Sequence, residues 1–139
     1  MTQQLEKIIN SVLELDLEAA HGISISSRVL EGDAPVAEVL VEGREELPIY
    51  LTISDTQLLC ICYIASESEI NADKRCEMME TMLEVNVPMP LSAFAKIDDR
   101  YAIFGAMSLS STAEDIALEL AYLSDNSMDA IDALDEYLV

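Results

Sequence analysis

Leu47-Pro48-Ile49-Tyr50-Leu51-Thr52-Ile53-Ser54-Asp55-Thr56-Gln57-Leu58-Leu59-Cys60-Ile61-Cys62-Tyr63-Ile64-Ala65 decides how the chain folds. Leu47, Ile49, Leu51 and Ile53 alternate with Pro48, Tyr50, Thr52 and Ser54, the period of a half-buried strand. Ser54 to Gln57 supplies turn-forming polar residues. An unbroken apolar run from Leu58 to Ile64 follows, rich in Ile, Cys and Tyr, which fits a strand covered on both faces. The two segments form the central hairpin of a sheet on which the remaining chain packs.

Working back from this hairpin, Thr2 to about Ala20 reads as an amphipathic helix. Leu5, Ile8, Ile9, Val12 and Leu13 recur at three- and four-residue spacing, and His21-Gly22 ends it with a residue suited to the left-handed position. Ile23, Ile25 and Val29 alternate with Ser24, Ser26 and Arg28 as a strand. Glu31-Gly32-Asp33 turns the chain, and Val39 and Val41 carry the inner face of the next strand behind Pro35. One helix and four strands in meander order result, most simply antiparallel.

Working forward, Asn71 caps a second helix running to about Val85, with Ala72, Cys76, Met79 and Leu83 as its inner stripe. Met78, Met79, Met82 and Met89 gather here, as core filling or as an adaptable binding surface. Val87-Pro88-Met89-Pro90 cannot continue the helix. Phe94 to Ile97 and Tyr101 to Leu109 form a hairpin about Asp98-Asp99, in which Gly105 signals a bulge or a close backbone approach. Ser111-Thr112-Ala113-Glu114 opens a last helix with stripe Ala113, Ile116, Ala117, Leu120 and Leu123. Ser124 to Ser127 is expected to interrupt it, the pattern resuming at Met128, Ile131, Leu134 and Leu138. The expected fold is a single α+β domain over residues 1–139, two-layered, with a mainly antiparallel sheet and the order α-ββββ-α-ββ-α(α).

The 139 residues carry 27 acidic against 7 basic side chains, a net charge of −20, with 51% hydrophobic residues. Such a chain has the core of a folded domain, and its charge repels nucleic-acid backbones and anionic membranes. No apolar run approaches the ~18 residues of a membrane span, and the odd number of cysteines suits a reducing cytoplasm. Cys60 and Cys62, two apart on one strand, read as buried thiols. A zinc site lacks ligands, His21 being the only histidine.

Residues Asp125 to Glu136 place oxygen-bearing side chains at positions one, three, five and twelve, as in a calcium loop. Ala130 stands where the glycine turn is required, however, and Asp132 where an apolar residue belongs. Asp98-Asp99 and Asp135-Glu136 are turn or helix-end carboxylates with nothing to desolvate them. No catalytic residue, cofactor or metal ligand is therefore assigned. From Thr112 onward the chain has eight acidic residues and no basic one. The expected partner surface comprises Met78, Met82, Asp129, Asp132, Asp135 and Glu136. It would meet a basic or amphipathic protein segment, in a homodimer without nucleic acid or direct membrane insertion.

Val87-Pro88-Met89-Pro90-Leu91-Ser92-Ala93-Phe94-Ala95-Lys96-Ile97-Asp98-Asp99-Arg100-Tyr101-Ala102-Ile103-Phe104-Gly105-Ala106-Met107-Ser108-Leu109 resembles the YjfI-like bacterial family of unknown function. The resemblance extends over most of the chain. It implies a small cytoplasmic protein with no assigned activity and no catalytic residues to carry over. The family's genes often neighbour that of a phage-shock-protein-A-like coiled-coil protein, which implies an envelope-stress context. Separately, the element order resembles the class I chaperones of type III secretion, small acidic dimers that hold effector segments partly unfolded. This chain departs from them by about one extra strand in its first block and by the expected break at Asp125-Asn126. The function expected is a non-enzymatic, chaperone-like interaction module. The alternatives are a small-ligand-sensing regulatory domain with a pocket between sheet and helices, and a DNA-mimicking inhibitor.

Overall fold

The structure, a computed structural model, describes residues 2–139. The central hairpin forms as the alternation predicts. Strand β3 (Ile49–Ser54) and strand β4 (Gln57–Ser66) are antiparallel, with Ser54 opposite Gln57 and Asp55 at φ 52° in the two-residue turn. Asp tolerates this left-handed conformation better than most residues. β1 (Ile25–Leu30) and β2 (Val36–Val41) extend the meander on one side, while β5 (Ala93–Ile97) and β6 (Arg100–Ser108) lie on the other. The order across the sheet is β1-β2-β3-β4-β6-β5, antiparallel at every pairing. β6 is inserted between β4 and β5, so the chain leaves β4, passes through a helix and returns one strand further out.

The helices are α1 (Thr2–Leu13), α2 (Leu17–His21), α3 (Arg75–Asn86) and α4 (Ala113–Leu134). α4 packs on β4 and β6, and α1 on β1, β2 and α4. Leu5, Ile9 and Val12 of α1 and Ile116, Leu120 and Leu123 of α4 meet Val39, Val41, Ile49, Leu51, Leu58, Cys60, Cys62 and Ile103 in one core. A smaller core joins Met78, Met82, Ile70, Tyr101, Leu134 and Tyr137 under α3. The fold is α+β and two-layered, as the pattern implies.

Four details differ from the sequence expectation. The first helix stops at Leu13 because Asp16 caps a separate helix, accepting from the Ala19 amide at 3.1 Å. Gly22 then ends α2 at φ 70°, its N–H donating to the Glu18 carbonyl.

α3 buries Met78 and Met82 rather than the stripe of Cys76 and Leu83, which are exposed. The residues after the Asn71 cap form a tighter 3₁₀ turn, Ala72–Lys74. Three residues per turn advance the face faster than 3.6 do, shifting which stripe points inward.

α4 runs unbroken through Asp125-Asn126. Its small polar residues turn toward neighbours: Arg44 Nη1 donates to Ser124 Oγ at 2.9 Å and to Asp125 Oδ1 at 2.7 Å. With no break the inward phase continues as Ser127, Ala130 and Leu134, and Met128 is left exposed.

Finally, the helices cover only one face of β4. Leu58, Cys60 and Cys62 are sealed beneath them, whereas Leu59, Ile61 and Tyr63 on the other side are only half-buried.

Candidate functional site

Between α3, the Pro88–Pro90 loop and α4 lies a groove of about 230 Å³, walled by Met82, Val85, Met89, Phe94 and Ala130 with Asp129 at its side. The loop cannot be helical because of its prolines, and side-chain amides fix it at both ends. Asn86 Oδ1 accepts from the Phe94 amide at 2.7 Å. Asn126 Nδ2 donates to the Pro90 carbonyl at 2.9 Å and to Ser92 Oγ at 3.0 Å. Leu91, next to these bonds, is held at φ 62°, a conformation costing a non-glycine residue about 1 kcal/mol that only a well-tied loop sustains.

Leu83 and Val87 are 70% and 88% exposed, and Val85 and Leu91 are also open to solvent. Val85 opens on the groove, whereas Leu83 lines a separate hollow with Met79, Asn86 and Lys96 on the other side of α3. Of the expected partner residues, Met82 and Asp129 meet on this groove. Met78 is wholly buried in the smaller core. Asp132, Asp135 and Glu136 are exposed at and beyond the end of α4. Asp125, Asp129, Asp132 and Glu136 follow a three- and four-residue spacing and so make one acidic stripe. Sequence reasoning missed Leu83, which it placed in the core, and Val87 and Leu91. Helical periodicity carries no signal for the loop pair.

Two carboxylates elsewhere are set apart by their surroundings. Glu67 accepts from Tyr101 Oη at 2.7 Å, is bonded by Arg75 Nε, and has Lys96 Nζ at 3.8 Å. The Tyr101 hydroxyl, followed by Arg75, holds its carboxyl below the usual range. This knot ties the turn after β4 to α3 and β6. Glu119, on the sheet-facing side of α4, is 8% exposed, and its Oε2 is buried without a partner. Burial pushes its carboxyl up. Burial, then the nearby Glu119 charge, pushes the Cys60 thiol up to about 12. The Cys60 thiol is therefore a poor source of thiolate at neutral pH.

His21 ends the helix leading into edge strand β1, whereas Asp98 and Asp99 turn the chain between β5 and β6 at the opposite side of the sheet. The three do not form a common site. The calcium-like stretch is helical from Asp125 to Leu134, without a loop to wrap a cation. No helix among the described residues is long and apolar enough to cross a membrane.

The six-stranded antiparallel sheet with helices on one face is a fold shared with a solved secretion chaperone. The type III secretion chaperone SycH of Yersinia pestis, solved in complex with a stable fragment of YscM2, superposes with a TM-score of 0.53 at 16% identity, over 86% of this chain and 96% of that one. YbjN of E. coli, a putative transcription regulator, gives 0.55 at 14% identity, over 88% and 89%. At these identities the likeness is one of fold. The chain itself belongs to the bacterial family described as "Uncharacterized protein conserved in bacteria (DUF2170)", whose profile matches residues 4–138. It is 33% identical over 97 residues to the "Uncharacterized protein YjfI" of E. coli K12, spanning 66% of this chain and 71% of that protein.

Proposed function

We propose that this protein is a non-enzymatic, chaperone-like binding module of the cytoplasm, working as a homodimer. In this reading its α3–α4 groove takes an amphipathic segment of a protein client. The observation that carries it is the groove itself. Its walls, with Met82, Val85, Met89 and Phe94, are apolar, and the Asp125–Asp129–Asp132–Glu136 stripe runs alongside. Apolar side chains of the client seat in the groove, and lysines or arginines on its flank meet the carboxylates. The acidic–basic part of such an interface speeds association and is screened by salt. The fold supports a protein partner, since SycH holds a protein fragment in its complex. The envelope-stress context implied by the family resemblance directs the first search for that client.

A small-ligand sensor is less well served. A pocket between sheet and helices would be this same groove, and about 230 Å³ falls below the roughly 300–1,000 Å³ of typical ligand sites.

The test is affinity capture from host lysate with the wild-type chain, Val85→Asp and Asp129→Lys, washed at low and at high salt. One dominant partner held at low salt, released at high salt and lost in both variants is the expected result. Capture that ignores both substitutions would overturn the groove as the binding site.

A further inference from the structure

Leu40, Tyr50, Leu59, Ile61, Tyr63 and Phe104 point away from the helices, and none of them packs against either core. All six are half-buried. An antiparallel sheet that shows one face to water ordinarily carries polar side chains there. Here the unbroken apolar run of β4 demands cover on two sides, and the described chain supplies one.

Charge singles out the same face. Glu38 is the only acidic residue in any of the six strands. It is neutralised where it stands, Arg28 Nε lying 3.0 Å away and Tyr50 Oη donating at 3.4 Å. The Arg100 guanidinium stacks 3.5 Å over the Tyr63 ring. Glu31 lines the same hollow as Tyr50, Tyr63 and Arg100, and Glu42 and Glu45 sit beside Leu40. Acids thus gather at the rim of the face, while its strands carry two arginines against one glutamate on a chain of net charge −20. Tyrosine, phenylalanine and arginine around one paired glutamate, with lysine absent and the other acids at the rim, is the composition of an interface centre.

We propose that a second copy of this chain docks here, sheet on sheet, in a twofold homodimer. The inference rests on the dimeric part of the reading above and gives it a surface. Two chains of this charge repel by any acidic face. Meeting at this one sets both helical layers outermost, on opposite sides of the sandwich. The shape also suits a copy, because two sheets of equal twist pack aligned at about −30°. Six strands at ~4.8 Å spacing and about six residues in length offer roughly 580 Å² per copy. The sum of about 1,150 Å² is close to the lower bound of a standard stable interface. A twofold axis along the strands between β3 and β4 lays β2 on the second copy's β6.

The experiment is sedimentation equilibrium of the full chain between about 1 and 100 µM, at low and high salt. Wild type is expected at twice the 15.3 kDa chain mass. Its dimer should tighten as salt rises, because salt screens the repulsion between copies; client binding at the groove should weaken. Ile61→Glu and Phe104→Glu should raise the dimer Kd at least ~100-fold, while Tyr122→Glu, on the outer side of α4, leaves it unchanged. Should the buried charges unfold the chain by circular dichroism, Thr52→Cys in a Cys76→Ser background replaces them. It should form an intermolecular disulfide under mild oxidation much faster than Asn10→Cys on α1. A wild-type monomer throughout overturns both the dimer and its surface. A dimer that survives in folded Ile61→Glu, or equal cross-linking of the two cysteines, overturns the surface alone.

Discussion

The side-chain carboxyl of Glu119 rests on the backbone of Gly105: a Cβ added to Gly105 would stand 3.1 Å from the carboxyl carbon. Neither residue explains itself alone. The glycine on β6 leaves the space, and the acid on α4 fills it without a hydrogen-bond partner for Oε2.

Gly105→Ala is therefore expected to destabilise the fold by about 1–3 kcal/mol, the usual cost of overpacking a tight contact. Glu119→Met removes the buried carboxyl while keeping its length, and should raise Tm by about 3 °C. Chemical denaturation of the two single variants and the double variant checks the coupling. Strictly additive effects would mean that the two residues do not share this contact.

Glu67 and Glu119 pull the pH dependence of stability in opposite directions. The Glu67 carboxyl is held low by Tyr101 and Arg75. Its contribution is present above the unfolded-state value of about 4.3 and is lost as pH falls through the lower folded value. Glu119 is raised by burial, so it keeps its proton longer in the folded state. Stability falls as pH climbs from about 4.3 through that raised value. Glu67→Gln should flatten the acid limb of a Tm-versus-pH curve, and Glu119→Gln the limb above it. A curve unchanged by either substitution would count against these environments.

Thiol chemistry separates the three cysteines. Cys76 is exposed, while Cys60 and Cys62 are buried with thiols pushed up by burial. Iodoacetamide should label one thiol rapidly in the native protein and the other two only on unfolding. Rapid labelling of two or three would place the sheet's inner face in solvent contact.

Asn126→Ala removes both bonds that hold the Pro88–Pro90 loop to α4. A loss of about 1 kcal/mol is expected, with faster amide exchange confined to residues 89–92 and weaker client capture. Unaltered exchange in that loop would show that its prolines alone set its shape.

The sheet was legible because its signal is local. Ile49, Leu51 and Ile53 against Tyr50 and Thr52 fix both the strand and its inner face, and the Asp98-Asp99 turn fixes the second hairpin. The position of β6 between β4 and β5 was not legible, since no residue pattern records which edge a returning strand joins. The phase of α3 was lost for a different reason. Met78 and Met82 form as good a stripe as Cys76, Met79 and Leu83, and only the 3₁₀ turn ahead of Arg75 decides between them. Ser124 to Ser127 looked like a break because small polar residues disfavour helix interiors in isolation. Tertiary bonds to Arg44, Pro90 and Ser92 override that preference. At the candidate site, charge counting found Asp129, but the burial of Met78 and the exposure of Leu83 needed three dimensions.

The insertion of β6 beside β4 also imposes an order of assembly. Gln57 pairs with Ser108 and Ser66 with Arg100, so one edge of β4 waits for residues translated well after it. A nascent chain released only as far as α3 has its four-strand meander, yet β4 ends in unpaired amides and carbonyls. Such an open, apolar edge invites aggregation and slows folding through its long-range closure. The segment from Ala93 to Ser108 is thus the latch of the sheet. A chain truncated before it should misassemble rather than fold as a smaller domain.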